Sequence, residues 1–272
     1  MTPTYTAVGD IGIDMYPQTK KQYPGGMALN NAIHAVQAGA RASIISAVGS
    51  DDIGNIAMKF LKDKNVNKEH VTKIIGGRTQ SIDVMLDKHK VQHYGDWDLG
   101  VLADFVPTKK HEAFLATQDA SISFYLPEFA HFFNVYAGMK LDNSIKIADF
   151  TDLSEHDGDV QFINQYQGMF NWYVLSIERV GRKARKEQFS QLVLDHKVSG
   201  IALLGSDGSM VIYDGKIYHE LAKRVKVVDT TGAGDSYVGT FFAVYLRTCH
   251  IPTAMKSATK RASEIIQRFG AL

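Results

Sequence analysis

One cysteine in 272 residues, Cys249, excludes an internal disulfide and any thiolate cluster around a metal. Proline is also scarce, at 6, and no Pro- or Gly-rich tract divides the chain, so nothing marks a linker between domains. No apolar run approaches the roughly 18 to 20 residues that a bilayer-spanning helix needs; Tyr237 to Leu246 suits a buried helix instead. Neither sign of charge dominates. The 30 Lys and Arg against 29 Asp and Glu leave a formal charge of +1, with no basic run to line a nucleic-acid groove. Met1 to Asp10 lacks the basic and apolar regions of a secretory signal. A cytoplasmic protein with neither membrane nor nucleic acid as partner is the expectation. The 10 histidines show no HExxH or paired Cys/His spacing. Also missing are a G-x-x-x-x-G-K-[ST] P-loop, a G-x-G-x-x-G dinucleotide turn and a G-x-S-x-G elbow. A nucleotide enzyme built on this chain needs another cradle for phosphate.

What is present is a 45% hydrophobic content in a length that can bury one large core, which predicts a single α/β unit. Short β-rich runs at Ala42 to Val48, Lys146 to Asp149, Trp172 to Ser176 and Gly200 to Leu204 alternate with helical stretches such as Asn30 to Ala38 and Ile53 to Lys64. Such alternation predicts parallel βαβ units. Gln80 to Asp98 differs. Ser81 to Asp87 alternates apolar and polar residues, Lys88 to Lys90 is a polar turn, and Val91 to Tyr94 resumes an extended pattern, a hairpin set apart from the main sheet. Asp214-Gly215 between extended runs predicts a type I′ turn.

The most informative segment is Asp229-Thr230-Thr231-Gly232-Ala233-Gly234-Asp235, which leads into the apolar helix. Two glycines around one small residue let backbone N–H groups crowd an anion, and a helix N-terminus adds unpaired donors and a favourable dipole. A carboxylate there is unwelcome to phosphate, so Asp235 suits a proton acceptor beside a transferring group; an N-capping aspartate is the competing explanation. Gly25-Gly26 ahead of Asn30 lets a second backbone segment approach a ligand, and an amide at Asn30 both donates and accepts, as a polyhydroxyl substrate requires. A plain loop-to-helix junction explains the same glycines. Asp10 and Asp14 follow an apolar start, with a cap role fitting Asp10 better than Asp14. Asp51 or Asp52 caps the helix after Gly49. Leu203-Leu204-Gly205-Ser206-Asp207-Gly208 is a strand and a glycine-bounded turn that could lie against a nucleotide or simply feed the next strand.

Taken in order, Gly25-Gly26 with Asn30, Gly49-x-Asp51 with Gly54, Gly205 to Gly208, and D-T-x-G-A-G-D at 229 to 235 resemble the ribokinase-like, or PfkB, carbohydrate kinases over nearly the whole chain. The resemblance implies one domain over 1–272, a three-layer Rossmann-type α/β sandwich with a small β-sheet lid from about 11–24 and 80–98. Within the family the chain is similar to fructoselysine 6-kinases at Gly9-Asp10 with Asp14-Met15-Tyr16-Pro17, at Gly95-Asp96 with Ala103-Asp104-Phe105, and at Asp149-Phe150-Thr151-Asp152. A sugar with a cationic amine could meet Asp83, Asp87, Asp96 and Asp98 of the lid; a solvated hairpin face is the competing explanation and the better one for Asp83 and Asp87.

By resemblance Asp235 is the catalytic base, and Gly232, Ala233 and Gly234 form the anion hole. Asp14, Gly26 and Asn30, with Asp96 from the lid, hold the sugar. Gly205 and Gly208 match the nucleotide loop. Asp229 and Thr231 match residues that help hold a monovalent cation such as potassium. ATP with Mg2+ is the implied cofactor. Two positions depart from the family. Leu203 stands where a threonine toward ATP is common, and the N-x-x-E element for magnesium waters is not intact, with Glu178 as a stand-in shifted in register. The leading expectation is therefore a kinase for the primary 6-hydroxyl of a ketose derivative, fructoselysine ahead of fructose or ribose. The alternatives are a nucleoside kinase of the same fold and a sugar-sensing protein without catalysis. A homodimer through the lid is also expected, because a small sheet leaves edges open.

Overall fold

The computed structural model describes residues 2–87 and 92–272; the polar turn expected at Lys88 to Lys90, and Val91 after it, lie outside the described residues. The strands, in chain order, are β1 (Thr4–Val8), β2 (Gly12–Tyr16), β3 (Lys21–Gly25), β4 (Arg41–Gly49), β5 (Asn67–Ile74), β6 (Gln80–Leu86), β7 (Gln92–Asp98), β8 (Ala120–Phe124), β9 (Ile145–Asp152), β10 (Trp172–Ser176), β11 (Ser199–Leu203), β12 (Ser209–Tyr213) and β13 (Lys216–Glu220). The helices are α1 (Met27–Gln37), α2 (Asp52–Asp63), α3 (Lys109–Leu115), α4 (Ala130–Ala137), α5 (Arg182–Asp195), α6 (Ala233–Thr248) and α7 (Ile251–Ile265). A nine-stranded sheet has the order β13-β12-β11-β10-β9-β8-β1-β4-β5, and a four-stranded sheet the order β3-β2-β6-β7. In the large sheet the β11–β12 and β12–β13 pairs are antiparallel, so β12 alone is reversed, and the other pairs are parallel. The β12–β13 hairpin turns on Asp214 (φ 50°) and Gly215 (φ 68°), the left-handed pair that a type I′ turn requires.

Successive residues of the central strands serve opposite layers, which is why their sequences read as almost unbroken apolar runs. Trp172 and Val174 of β10 join Tyr5, Ile33, Phe241 and Phe242 under α1, α2, α6 and α7. Tyr173 and Leu175 join Phe133, Phe150 and Phe189 under α3, α4 and α5. Each such aliphatic or aromatic side chain stabilises the fold by roughly 1.5 to 3 kcal/mol through burial. The result is the expected three-layer α/β sandwich. The small sheet has its own core of Tyr16, Ile82 and Val84, with Tyr23 and Trp97 against it. Among the described residues no helix is long and apolar enough to cross a membrane.

Two features position the site. β1 lies between β8 and β4, so connections diverge on either side of its C-terminal end, where open α/β sheets leave a crevice. Gly239 brings α6 against α1, since a Cβ there would overlap the carbonyl of Asn31. That close crossing sets the first turn of α1 beside the first turn of α6.

Candidate active site

Gly232 opens α6 at φ 72°, and a Cβ on it would overlap Ala271, so both backbone conformation and space demand glycine. No side chain caps the helix. The Ala233 N–H donates to the Thr230 carbonyl at 3.2 Å, and Ser236 N–H donates to the Gly232 carbonyl at 2.9 Å. The N–H groups of Gly234 and Asp235 precede that first helical bond. They are the orphan donors of the helix end, where the dipole also favours negative charge. Of the expected cradle residues Gly232, Ala233 and Gly234, Ala233 thus already has a backbone partner. Leu203, at the end of β11, lies 3.5 Å from the place a Gly234 Cβ would take, which sets an apolar side chain at the rim of the cradle.

Asp235 does not cap its own helix. It is half-buried at the cleft, and its Oδ2 accepts a 2.8 Å hydrogen bond from Asn30 Nδ2. Burial raises its pKa well above the carboxylate range, the Asn30 hydrogen bond opposes this, and the charges of Asp149, Asp10 and Asp14 raise it further. Asp14, on β2, is pushed up to about 7 by burial, with Asp10 and Asp229 adding repulsion. Burial likewise lifts Asp149 to about 6, although its Oδ1 accepts from the Thr151 N–H at 2.9 Å. Asp10 serves as an outside cap for α1, accepting from the N–H groups of Met27 at 3.0 Å and Ala28 at 3.1 Å. The glycines before α1 make room for these acids. A Cβ on Gly25 would overlap the Asp14 carboxylate, and one on Gly26 (φ 110°) would stand 2.7 Å from the Asp10 carbonyl oxygen.

Asp10, Asp14, Gly26, Asn30 and Asp235 line one cleft between the two sheets, together with Gln80, Ile82, Tyr94 and Trp97 of the lid strands, Leu126, Thr231 and Gly232; Asp149 is not among the lining residues. Asn30 Oδ1, Gln80 Oε1 and Trp97 Nε1 are buried without a hydrogen-bond partner, and such atoms are costly unless a ligand completes them. Sequence reasoning passed over Gln80, Tyr94 and Trp97. Asp96, expected to hold the sugar, is exposed on β7 and is not among the lining residues. Asp98 is ion-paired with Arg78 at 2.9 Å, and Asp87 lies 3.5 Å from His93.

The other expected positions sit around this centre. Gly205 (φ 56°) has open space where a Cβ would project, whereas Gly208 (φ 94°) is required by packing, since a Cβ there would overlap the Glu220 carbonyl. Arg182 pairs with Asp207 of the same turn. Glu178 follows β10 and faces Arg185 at 3.5 Å. Among the described residues no group of three or more His, Cys, Asp or Glu is placed to hold a metal, so a cation at this site would share its ligands with a nucleotide's phosphates, as Mg2+ commonly does. Asp229 is fully buried and its carboxylate accepts from Thr231 N and Oγ1, Tyr16 OH and Gly270 N. Asp51 caps α2 through Gly54 N–H at 2.9 Å and also binds Thr79.

A helix end with orphan donors, a half-buried carboxylate beside them and a polar cleft alongside fit a phosphotransferase acting on a hydroxyl. The model of the pfkB family carbohydrate kinases matches residues 6–117 and 186–272, and the chain belongs to that family. A fructoselysine 6-kinase of Shigella flexneri is 26% identical over 268 residues, spanning 98% of this chain and 99% of that protein. The adenosine kinase of Sinorhizobium meliloti superposes with a TM-score of 0.84 at 16% identity, covering 100% of this chain and 96% of that one. The ribokinase of Arabidopsis thaliana, complexed with ribose and ATP, gives 0.79 at 20% identity, covering 100% and 94%. At these identities the likeness to solved structures is one of fold. The chain is a carbohydrate kinase with a ribokinase-like fold.

Proposed function

We propose that the protein transfers the γ-phosphoryl group of ATP to the primary 6-hydroxyl of a ketose-type sugar derivative, with fructoselysine as acceptor. The observation that carries this reading is the charge of the cleft: Asp10, Asp14 and Asp235 line it beside Asn30 and Gln80, and no Lys, Arg or His is among the lining residues. Two unit charges about 4 Å apart interact by roughly 4 kcal/mol at an effective dielectric of 20. Burial raises the pKa of all three acids in the ligand-free cleft; an ammonium brought beside them favours their ionised forms and gains from them, whereas a sugar acid is repelled by any that is ionised, and Asn30 and Gln80 supply what hydroxyls need. The resemblance to a fructoselysine 6-kinase points the same way.

In this reading Asp14, Gly26 and Asn30 hold the sugar and aim its hydroxyl at Asp235. The hydroxyl oxygen attacks the γ-phosphorus, the bond to the bridging oxygen of ADP breaks, and the proton passes to Asp235. Its raised pKa makes the ionised carboxylate a stronger base than an exposed one. Donors of the α6 N-terminus, Gly234 foremost, stabilise charge on the transferring group, each worth on the order of 100-fold or more in rate. The nucleotide lies along the turn from Gly205 to Gly208, with Leu203 offering an apolar contact. Magnesium on the ATP phosphates supplies charge neutralisation, and Glu178 is the carboxylate we assign to its water shell. A cytoplasmic location and a second copy of the chain pairing at the open lid edges β3 and β7 belong to the same proposal. Trp97 and Tyr94 at the cleft favour a second reading, a nucleoside acceptor whose base stacks on them. ADP release from Mg-ATP across fructoselysine, fructose, ribose, adenosine and a sugar acid tests both. Selective turnover of fructoselysine supports the first, turnover of adenosine alone supports the second, and turnover of a sugar acid contradicts the charge argument.

A further inference from the structure

The loop that carries the anion cradle is tied to the lid through one phenol. Tyr16 ends β2 and is 2% exposed. Its hydroxyl donates to Asp229 Oδ2 at 2.8 Å and lies 3.2 Å from Thr231 Oγ1. The same Oδ2 accepts from the Gly270 N–H at 2.9 Å, and Oδ1 accepts from Thr231 N–H at 2.9 Å and Thr231 Oγ1 at 2.6 Å. A carboxylate offers about four lone-pair sites on its two oxygens. Four neutral donors occupy them, and Asp229 is fully buried. A monovalent cation held by this carboxylate would need a lone pair that the protein has already used, so Asp229 and Thr231 do not fit the cation that the family resemblance implies.

We propose that Tyr16 takes the place of such a cation: the hydroxyl of the lid strand, rather than a potassium ion, completes the buried Asp229 and orders the loop from Asp229 to the α6 N-terminus. Tyr16 is two residues from Asp14, which faces the sugar cleft from the same strand. One strand thus carries the sugar-facing carboxylate and the strut to the phosphate cradle, so that displacement of β2 by a bound sugar is felt at Thr231 and Gly232. Tyr16 is a positioning residue. It is not among the residues that line the cleft, and its effect passes through Asp229. The inference rests on the kinase reading only for its kinetic consequences.

The test compares wild type and Tyr16→Phe in potassium chloride and in choline chloride at equal ionic strength, by thermal melting and by ADP release. Wild type is expected to melt at the same temperature and turn over at the same rate in both salts. Tyr16→Phe keeps the ring and its packing but deprives a buried charge of one donor, so kcat is expected to fall about 10- to 100-fold. The sugar KM is expected to stay within about twofold, because the cradle acts on the transferring group. A merely structural role in the lid would move KM instead, and that outcome overturns the proposal. So does unchanged kcat in the variant, or a rise in wild-type melting temperature or turnover on adding potassium, since a bound ion stabilises the state that binds it. If wild type turns over none of the acceptors, the kinase reading fails, and the potassium dependence of melting still decides this inference.

Discussion

Replacing Asp14 with asparagine is expected to stabilise the ligand-free protein, and by more as the pH rises. The Asp14 carboxyl is pushed up to about 7 from an ordinary value of 3.8, by burial first and by Asp10 and Asp229 next. Because the folded pKa lies above the unfolded one, the native state keeps this proton longer than the unfolded chain does. Its contribution to stability is fully present below about pH 4 and is lost as pH rises through 7. A shift of about 3 units at 1.36 kcal/mol each amounts to about 4 kcal/mol between pH 4 and pH 8. Asparagine has nearly the same shape and no such penalty. At about 2 to 4 °C per kcal/mol for a chain of this size, the melting temperature of the variant should gain on wild type by roughly 8 to 16 °C across that range. Differential scanning calorimetry of both proteins at several pH values measures the gap. A gap that stays flat or narrows with rising pH refutes the reasoning. The same change should weaken sugar binding, the usual exchange between stability and function at a strained site.

Gly232→Ala is expected to abolish turnover and lower stability by more than about 1 kcal/mol, the scale of misplacing a side chain at positive φ, because its Cβ would also overlap Ala271; activity with an unchanged melting temperature would contradict this. Gln80→Leu removes a buried amide whose Oε1 has no protein partner. Its sugar KM is expected to rise about tenfold, the loss of one net hydrogen bond, with kcat nearly unchanged; an unaltered KM would place Gln80 outside the sugar subsite.

The turn and helix start from Asp229 to Asp235 were legible from the chain because their signal is local. Seven consecutive residues specify the turn, the helix start and the carboxylate, and α6 begins at Ala233 within that string. The strands of the large sheet were legible for a similar reason, as apolar runs buried on both faces. The cleft was legible only on one side: Asp14, Gly26, Asn30 and Asp235 were expected together, but the lid side was not. Asp10, the hairpin that carries Gln80 and Trp97, and Asp235 come from three distant segments, and only strand order and the fold of the lid bring them together. Asp96 illustrates the limit. Neighbours on a strand point to opposite faces, and the pairing of β6 with β7 shifts register between Ile82 and Val84. Which parity of β7 meets the cleft depends on that bulge, so Trp97 lines it where Asp96 was expected. Gly208 is instructive in the other direction. Its place in a glycine-bounded turn suggested a nucleotide contact, yet the crossing of the Glu220 carbonyl suffices to require glycine there. The Tyr16–Asp229 contact joins residues 213 positions apart and had no local signal beyond a tyrosine at the end of a lid strand.

Turnover of Asp235→Asn on the acceptor that wild type phosphorylates tests the central claim most directly. Asparagine can still occupy the space beside Asn30 but cannot accept the proton, so kcat should fall by roughly 100- to 10,000-fold, the range for loss of a general base, with nucleotide affinity retained and a melting temperature no lower than that of wild type, since the raised carboxyl pKa is removed as at Asp14. A folded variant that turns over at near the wild-type rate would contradict the assignment of Asp235 and, with it, the mechanism built around the α6 N-terminus.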